Sequence, residues 1–497
     1  MSFKEQLSDY EPLTRAKGKR DSRLEDIESE WTRNQTVWPS NSDFEKKLRV
    51  SASASSQSTP AASIDRAKTS AKPRWPALKE TWIVKRGHTI SFVGLYLFTF
   101  IVFFRPYEWS QSLLWLSSSA YWIATFTLLF FIPTQLALEN KITSRPREVN
   151  LVLLLFLACL LSIPFATDST IAWNGVNTYV KVVIMFIVMV NVVRTERRMK
   201  SLLFMVLVGS CILGISAIND LRVGRLALNG QRIEGVIGGL FDNPNDLALH
   251  LVTMIPLAVV LLLSSRSTLM KIFYAACVVL AMGGIVATFS RGGFLGMMCA
   301  GEILAWRLVR HNKLLIPAVL AFLVLVMVAF APSGYGSRLR TTSDGSAQIR
   351  TDDLKRSLLV AARHPVFGVG MDNYYLYSNT EHASHNAYTQ VASELGLTAA
   401  VIYIMFLVFP IKQLRRISYE EDLKKRRTSI YYLAVGLEAS LIGYMVSSFF
   451  ASVAFLWYAY YLVAYAICLR RLHDTERPVT AQQVSTAPGI EQAFKVS

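Results

Sequence analysis

The sequence predicts an all-α, polytopic membrane protein of about twelve transmembrane helices, with one large loop that contains amphipathic helices. Three observations carry that expectation. Hydrophobic residues make up 52% of the 497 and charged residues only 18%, below the roughly 25% charged of a soluble globular chain. The apolar residues run in long blocks, such as Leu151 to Phe165, Leu251 to Leu263 and Leu314 to Ala331. Lysine and arginine collect in alternate connections between such blocks, as they do on the inner side of a membrane.

The chain opens with a polar stretch, 1–84, whose Ser/Ala/Pro-rich part from Ser51 to Pro76 lacks the apolar core of a secretory signal. A disordered cytoplasmic tail is expected there. A hydrocarbon core of about 30 Å takes roughly 20 apolar helical residues. Spans of that kind are read at 88–104, 112–136, 148–165, 177–193, 200–218, 245–263, 269–288, 292–310, 313–331, 387–410, 429–449 and 451–469. Residues 85–470 then form the membrane domain, 332–386 its large outer loop and 471–497 a second cytoplasmic tail.

With the tail inside, every even-numbered connection should be basic. These connections hold Arg145 and Arg147, then Arg194, Arg197 and Arg198, then Arg266 and Lys271, then Arg307 and Arg310, then the run from Lys412 to Arg427. Both termini are therefore expected on the cytoplasmic side. The net charge of +17 is read in the same way, as membrane topology and lipid contact rather than a nucleic-acid surface. Cys159, Cys211, Cys277, Cys299 and Cys468 all lie in apolar segments, without disulfide-framework or zinc spacing.

Some arginines break the rule by lying outside: Arg222, Arg225 and Arg232 in one loop, Arg291 at a short turn, and Arg338, Arg340, Arg350, Arg356 and Arg363 in the large loop. A guanidinium at such a place needs an anion, a carbonyl or water. The first loop ends in a glycine-punctuated run through Phe241-Asp242-Asn243-Pro244-Asn245-Asp246, where Asn243 reads as a helix cap and Pro244 as the first helical residue. A helix N-terminus beside Arg232 is suited to an anion. Asp242 and Asp246 have no companion ligand cluster, so no metal site is expected.

Arg291 stands in Ser290-Arg291-Gly292-Gly293, where the glycines let neighbouring groups come close. Ala347 to Ala362 has helical spacing of apolar residues, and its Arg356 lies two turns from Arg363. The turn region His364-Pro365-Val366-Phe367-Gly368-Val369-Gly370 follows. Glu381-His382-Ala383-Ser384-His385-Asn386-Ala387-Tyr388 then leads into the tenth span. His385, with Asn386 beside it and His382 a turn away, is a candidate general base because imidazole titrates near neutrality.

In this order the motifs resemble those of the O-antigen ligase/polymerase family of bacterial integral-membrane glycosyltransferases, over roughly residues 85–470 and most specifically from Arg232 to Gly396. The resemblance implies transfer of a glycan from undecaprenyl diphosphate to an acceptor, such as lipid A-core or another glycan, at the periplasmic face of the inner membrane. It implies no nucleotide sugar, cofactor or obligatory metal. It also implies catalytic roles for His385, Arg291 and Arg232. Arg225, Asn243, Asn245, Arg350, Arg356, His382 and Asn386 are the expected substrate-binding residues.

The chemistry of these side chains is compatible with that role. A histidine can take the acceptor proton, and arginines can hold a leaving diphosphate by charge-assisted bonds. A single displacement of this kind would invert the anomeric centre. A polymerase of the same family is the alternative within the class. A transporter of lipid-linked glycans would place ionisable groups near the bilayer midplane, whereas here only Lys181, His250 and Glu302 lie near or within spans.

Overall fold

The computed structural model describes residues 88–109, 111–116, 118–225, 233, 241, 243–308, 321, 345–378, 384–424 and 427–485. Among these residues the fold is all-α, without a strand. The helices are α1 Thr89–Phe104, α2 Ser119–Glu139, α3 Arg147–Ser162, α4 Ser169–Val192, α5 Glu196–Val223, α6 Pro244–Ser264, α7 Thr268–Thr288, α8 Arg291–Leu308, α9 Gly345–Arg363, α10 Ala387–Leu395, α11 Leu397–Leu423, α12 Ser429–Ser447 and α13 Trp457–Ser485. Eight of the described helices are long and apolar enough to cross a membrane, and α1 is a shorter apolar helix. The chain is a multi-pass membrane protein. The expected tail, the span at 313–331, Arg232 and His382 lie outside the described residues.

Three expected spans are redrawn. The fourth starts at Ser169 rather than 177, because Asp168 caps it by accepting the N–H groups of Thr170 and Ile171. The tenth, expected as one helix over 387–410, is broken at Gly396, whose φ of +92° ends α10 before α11 begins. The last starts at Trp457, leaving Ala451 to Leu456 as non-helical backbone.

α6 and α12 form the centre. α6 packs on α5, α7, α8 and α12, and α12 packs on α8, α11 and α13. Small residues allow this approach: a Cβ on Gly443 of α12 would stand 3.0 Å from Val252 of α6 and 3.1 Å from Ala300 of α8. α2 lies at the periphery, packed mainly on α1, and exposes Trp122, Phe126 and Leu129 as a helix facing lipid does.

The two ends of the bundle differ in chemistry. At the end holding the α2–α3 and α4–α5 connections, charges are buried and paired. Arg194 donates to Glu139 at 2.8 Å and to Gln135 at 3.1 Å, Arg471 also reaches Glu139, and Arg470 binds Glu148 through both nitrogens at 2.8 and 3.0 Å. The buried Glu438 receives both Arg307 and the exposed Arg415. Such pairs offset the desolvation of each charge only when hydrogen bonding is nearly complete, and here the carboxylates are well supplied. His88, buried against Arg194, is driven down to a pKa of about 4 by burial first and the neighbouring guanidinium second.

Candidate functional site

The opposite end gathers the helix starts that the sequence singled out. Asn243 caps α6, its side-chain oxygen accepting the Asn245 N–H at 2.9 Å, with Pro244 at the first helical position. The buried Asn245 carboxamide oxygen accepts the Ser290 hydroxyl at 3.0 Å. Ser290 in turn accepts the Gly293 N–H at 3.2 Å, the geometry of a cap on α8. Two of the candidate segments, Asn-Pro-Asn and Ser-Arg-Gly-Gly, are thus joined through one hydroxyl.

The turn before α8 is tight because Phe289 adopts a left-handed φ of +52°. Gly292 and Gly293 lie flush with their neighbours: a Cβ on either would stand 2.6 Å from Phe450 and Ala248 respectively. The turn therefore presents Arg291 as the first residue of α8, exposed at the end of the bundle. Arg350 on α9 is half-buried, and its guanidinium is destabilised first by burial and then by the charge of Arg291. No hydrogen bond or ion pair to Arg350 occurs among the described residues. Two cations in electrostatic reach of one another, one of them without an acidic partner, form a surface that favours an anion.

The chain after α9 folds back on the broken helix. Val369 and Gly370 donate to the carbonyls of Ser393 and Glu394 at 2.9 Å each, and Leu397 donates to Pro365 at 2.8 Å. Gly368 and Gly370 take φ of +65° and +97°, which a residue with a side chain adopts only with strain. Asn373 binds both backbone groups of Asp168, fixing the loop to the start of α4. His364 is exposed, with its ring 6.3 Å from that of Tyr377.

His385 stands just before α10, half-buried, with a left-handed φ of +51°. For a residue other than glycine this is an uncommon conformation, held only when its surroundings enforce it. The enforcement comes from both neighbours. Asn386 caps α10 by accepting the N–H groups of Tyr388 and Thr389 at 2.9 and 3.1 Å, and Ser384 donates to the Asn386 carbonyl at 3.0 Å. The Asn386 amide nitrogen is buried and has no acceptor among the described residues.

Two carboxyls that are not among the expected site residues lie under this region. Glu394 is buried and is held well above the usual carboxylate range by burial first and by Asp372 second. Burial raises Asp372 as well, and that residue sits against Gly175 of α4. The sequence signal was Glu394 itself, a lone acid between apolar residues and a glycine.

The expected substrate residues are not all drawn together. Arg225 turns back to Asp220 of its own helix at 3.7 Å, and Arg356 reaches the Tyr377 carbonyl at 3.4 Å within the α9 segment. Asn245, Arg291 and Arg350 belong to one neighbourhood. His250 lies fully buried within α6, 2.9 Å from the Ser210 hydroxyl and surrounded by the rings of Phe103, Phe241 and Tyr458.

Residues 275–404 match the family model described as O-Antigen ligase. The matched stretch runs from α7 into α11 and carries Arg291, Arg350, Arg356, His385 and Asn386. No curated protein matches the chain. The all-α, multi-pass fold defines a membrane protein, and the match supports its place in the O-antigen ligase/polymerase family of membrane enzymes.

Proposed function

We propose that this protein transfers a glycan from undecaprenyl diphosphate to an acceptor hydroxyl at the periplasmic face of the bacterial inner membrane, with both termini cytoplasmic. The observation that carries the reading is the pair Arg291 and Arg350, two guanidiniums in mutual electrostatic reach at one end of the bundle. A diphosphate placed between them would relieve their repulsion and accept bidentate bonds. The basic connections at the other end support the orientation.

In this reading His385 removes the acceptor proton as the new bond forms from the acceptor oxygen to the anomeric carbon. The bond from that carbon to the diphosphate oxygen breaks on the opposite side, and the arginines stabilise the charge that develops on the leaving group. Inversion at the anomeric centre follows from the single displacement. Arg232, outside the described residues, is assigned to the same diphosphate by the family resemblance. Asn386, whose amide nitrogen has no acceptor among the described residues, is assigned to hydrogen bonding of substrate.

The test is reconstitution in liposomes with a defined undecaprenyl-diphosphate oligosaccharide and two acceptors, lipid A-core and a second lipid-linked repeat. The reading expects His385→Gly, chosen because it accepts the positive φ, to lose about 10²–10⁴-fold in kcat, the usual worth of a general base. Arg291→Ala and Arg350→Ala should raise the donor KM. Full transfer by all three variants would overturn the proposal. The acceptor that becomes lengthened separates ligase from polymerase, and movement of donor across the bilayer without transfer would establish a transporter.

A further inference from the structure

The connection between α12 and α13 lies outside the matched stretch, yet it touches both halves of the candidate site. On one side the Ser447 hydroxyl donates to the Gly292 carbonyl at 3.3 Å, and Phe450 fills the space beside Gly292. On the other, Ser452 lies 3.4 Å from Ser384, the residue before His385. Because Ser384 directs its own proton to the Asn386 carbonyl, Ser452 is the donor in that contact. The Tyr388 hydroxyl, three residues beyond His385, donates to the Met445 carbonyl at 2.8 Å.

This connection is also held in one arrangement. The carbonyl of Val453 accepts the Tyr444 hydroxyl at 3.2 Å, the Tyr460 hydroxyl shares its one proton between the Tyr179 oxygen at 2.8 Å and the Ala454 carbonyl at 3.2 Å, and the Ala454 N–H meets the Gln390 side chain. Those tyrosines are paired in turn with Tyr403 and Tyr179 at 2.9 and 2.8 Å. Buried irregular backbone needs partners for its polar groups, and tyrosine hydroxyls supply them at two of its carbonyls here. These contacts tie 451–456 to the bundle, so the helix start behind Arg291 and the cap behind His385 are referred to one common frame.

We infer that the α12–α13 connection is a positioning element that sets Arg291 and His385 in register, with Phe450 and Ser452 as its positioning residues. The inference rests on the glycosyl-transfer reading above. Phe450 acts through Gly292 on the donor side, and Ser452 acts through Ser384 on the acceptor-activating side. A misplacement of about 1 Å at a reacting group lowers turnover by roughly 10²-fold, so these contacts have kinetic consequences without touching substrate.

The experiment uses the full chain in liposomes with a defined undecaprenyl-diphosphate oligosaccharide, and follows transfer kinetics, donor binding and the melting temperature of each variant. Phe450→Ala should raise the donor KM by roughly tenfold and lower kcat by a smaller factor, and Phe450→Leu should restore both. Ser452→Ala should lower kcat by roughly tenfold and leave the donor KM unchanged. In an Arg291→Ala background Phe450→Ala should add no further loss of donor binding, since coupled residues are not additive. Wild-type kinetics in both variants, equal changes in kcat and KM, or an additive loss in the double variant would overturn the positioning role. If Arg291→Ala and His385→Gly themselves transfer normally, it is the reaction assignment that fails.

Discussion

The Ser290 hydroxyl donates to Asn245 at 3.0 Å while accepting the Gly293 N–H at 3.2 Å, so a single side chain ties the start of α6 to the start of α8. Ser290→Ala removes a helix cap and one donor to a buried carboxamide. A cap alone is worth about 1 kcal/mol. The variant should melt at a lower temperature in detergent and show a raised donor KM, because Arg291 is the next residue. Ser290→Thr should retain both properties, and a Thr variant as impaired as the Ala variant would refute the capping role.

Gly368 and Gly224 both have positive φ, +65° and +73°, but their surroundings differ. A Cβ on Gly368 would overlap the Glu394 carbonyl, while one on Gly224 meets nothing within 4 Å. Gly224→Ala should therefore cost only the strain of a left-handed residue, about 1–2 kcal/mol. Gly368→Ala should cost more, since the loop must leave the broken helix. Comparison of the two melting temperatures checks this, and equal losses would contradict the close approach.

Glu394 is protonated more readily in the folded protein than in an unfolded chain, because burial and then Asp372 raise its pKa. The folded state then holds the extra proton from the ordinary carboxylate range up to the raised value, and its stability falls as pH rises through that window. Glu394→Gln keeps the shape and removes the ionisation. Its melting temperature should fall less than that of the native protein as pH rises above the ordinary carboxylate range. Identical slopes would exclude this group as the origin.

His88 has the opposite sense. Its folded pKa of about 4 lies below the ordinary imidazole value of 6.5, so an unfolded chain takes up a proton first on acidification. Stability is unaffected above the unfolded value and is lost as pH falls from there towards the folded one. The full loss is at most about 3 kcal/mol for a shift of this size. His88→Gln should flatten the acid limb of a melting-temperature profile, and an unchanged limb would place the acid sensitivity elsewhere.

Much of this architecture was legible because lipid makes a simple demand, that about 20 apolar residues span it. The described helices 244–264 and 268–288 follow that rule within a residue or two of expectation. The break at Gly396 had a signal in the sequence, since Thr389, Gln390, Ser393 and Glu394 make the segment before it more polar than the one after it, and glycine commonly ends a helix. Ala451 to Leu456 read as helix because they are almost wholly apolar, and the tyrosine hydroxyls seated on two of their carbonyls belong to contacts that spacing does not reveal. The start of α4 could have been found, since Asp168 before Ser169 is a capping signal. Within the site, the motifs indicated which side chains matter. The partner of Arg291 across the loop and the bridge through Ser290 depend on contacts between distant segments, which spacing does not reveal.

The buried Glu148 side chain, at the start of α3, is hydrogen-bonded among the described residues by Arg470, 322 residues further along. During synthesis the chain therefore carries this acid without that partner until the final helix has been made. A ribosome product ending before Arg470 lacks the counter-charge that lets the start of α3 sink into place. Closure of this pair, spanning most of the chain, therefore belongs to the last steps by which the bundle is completed.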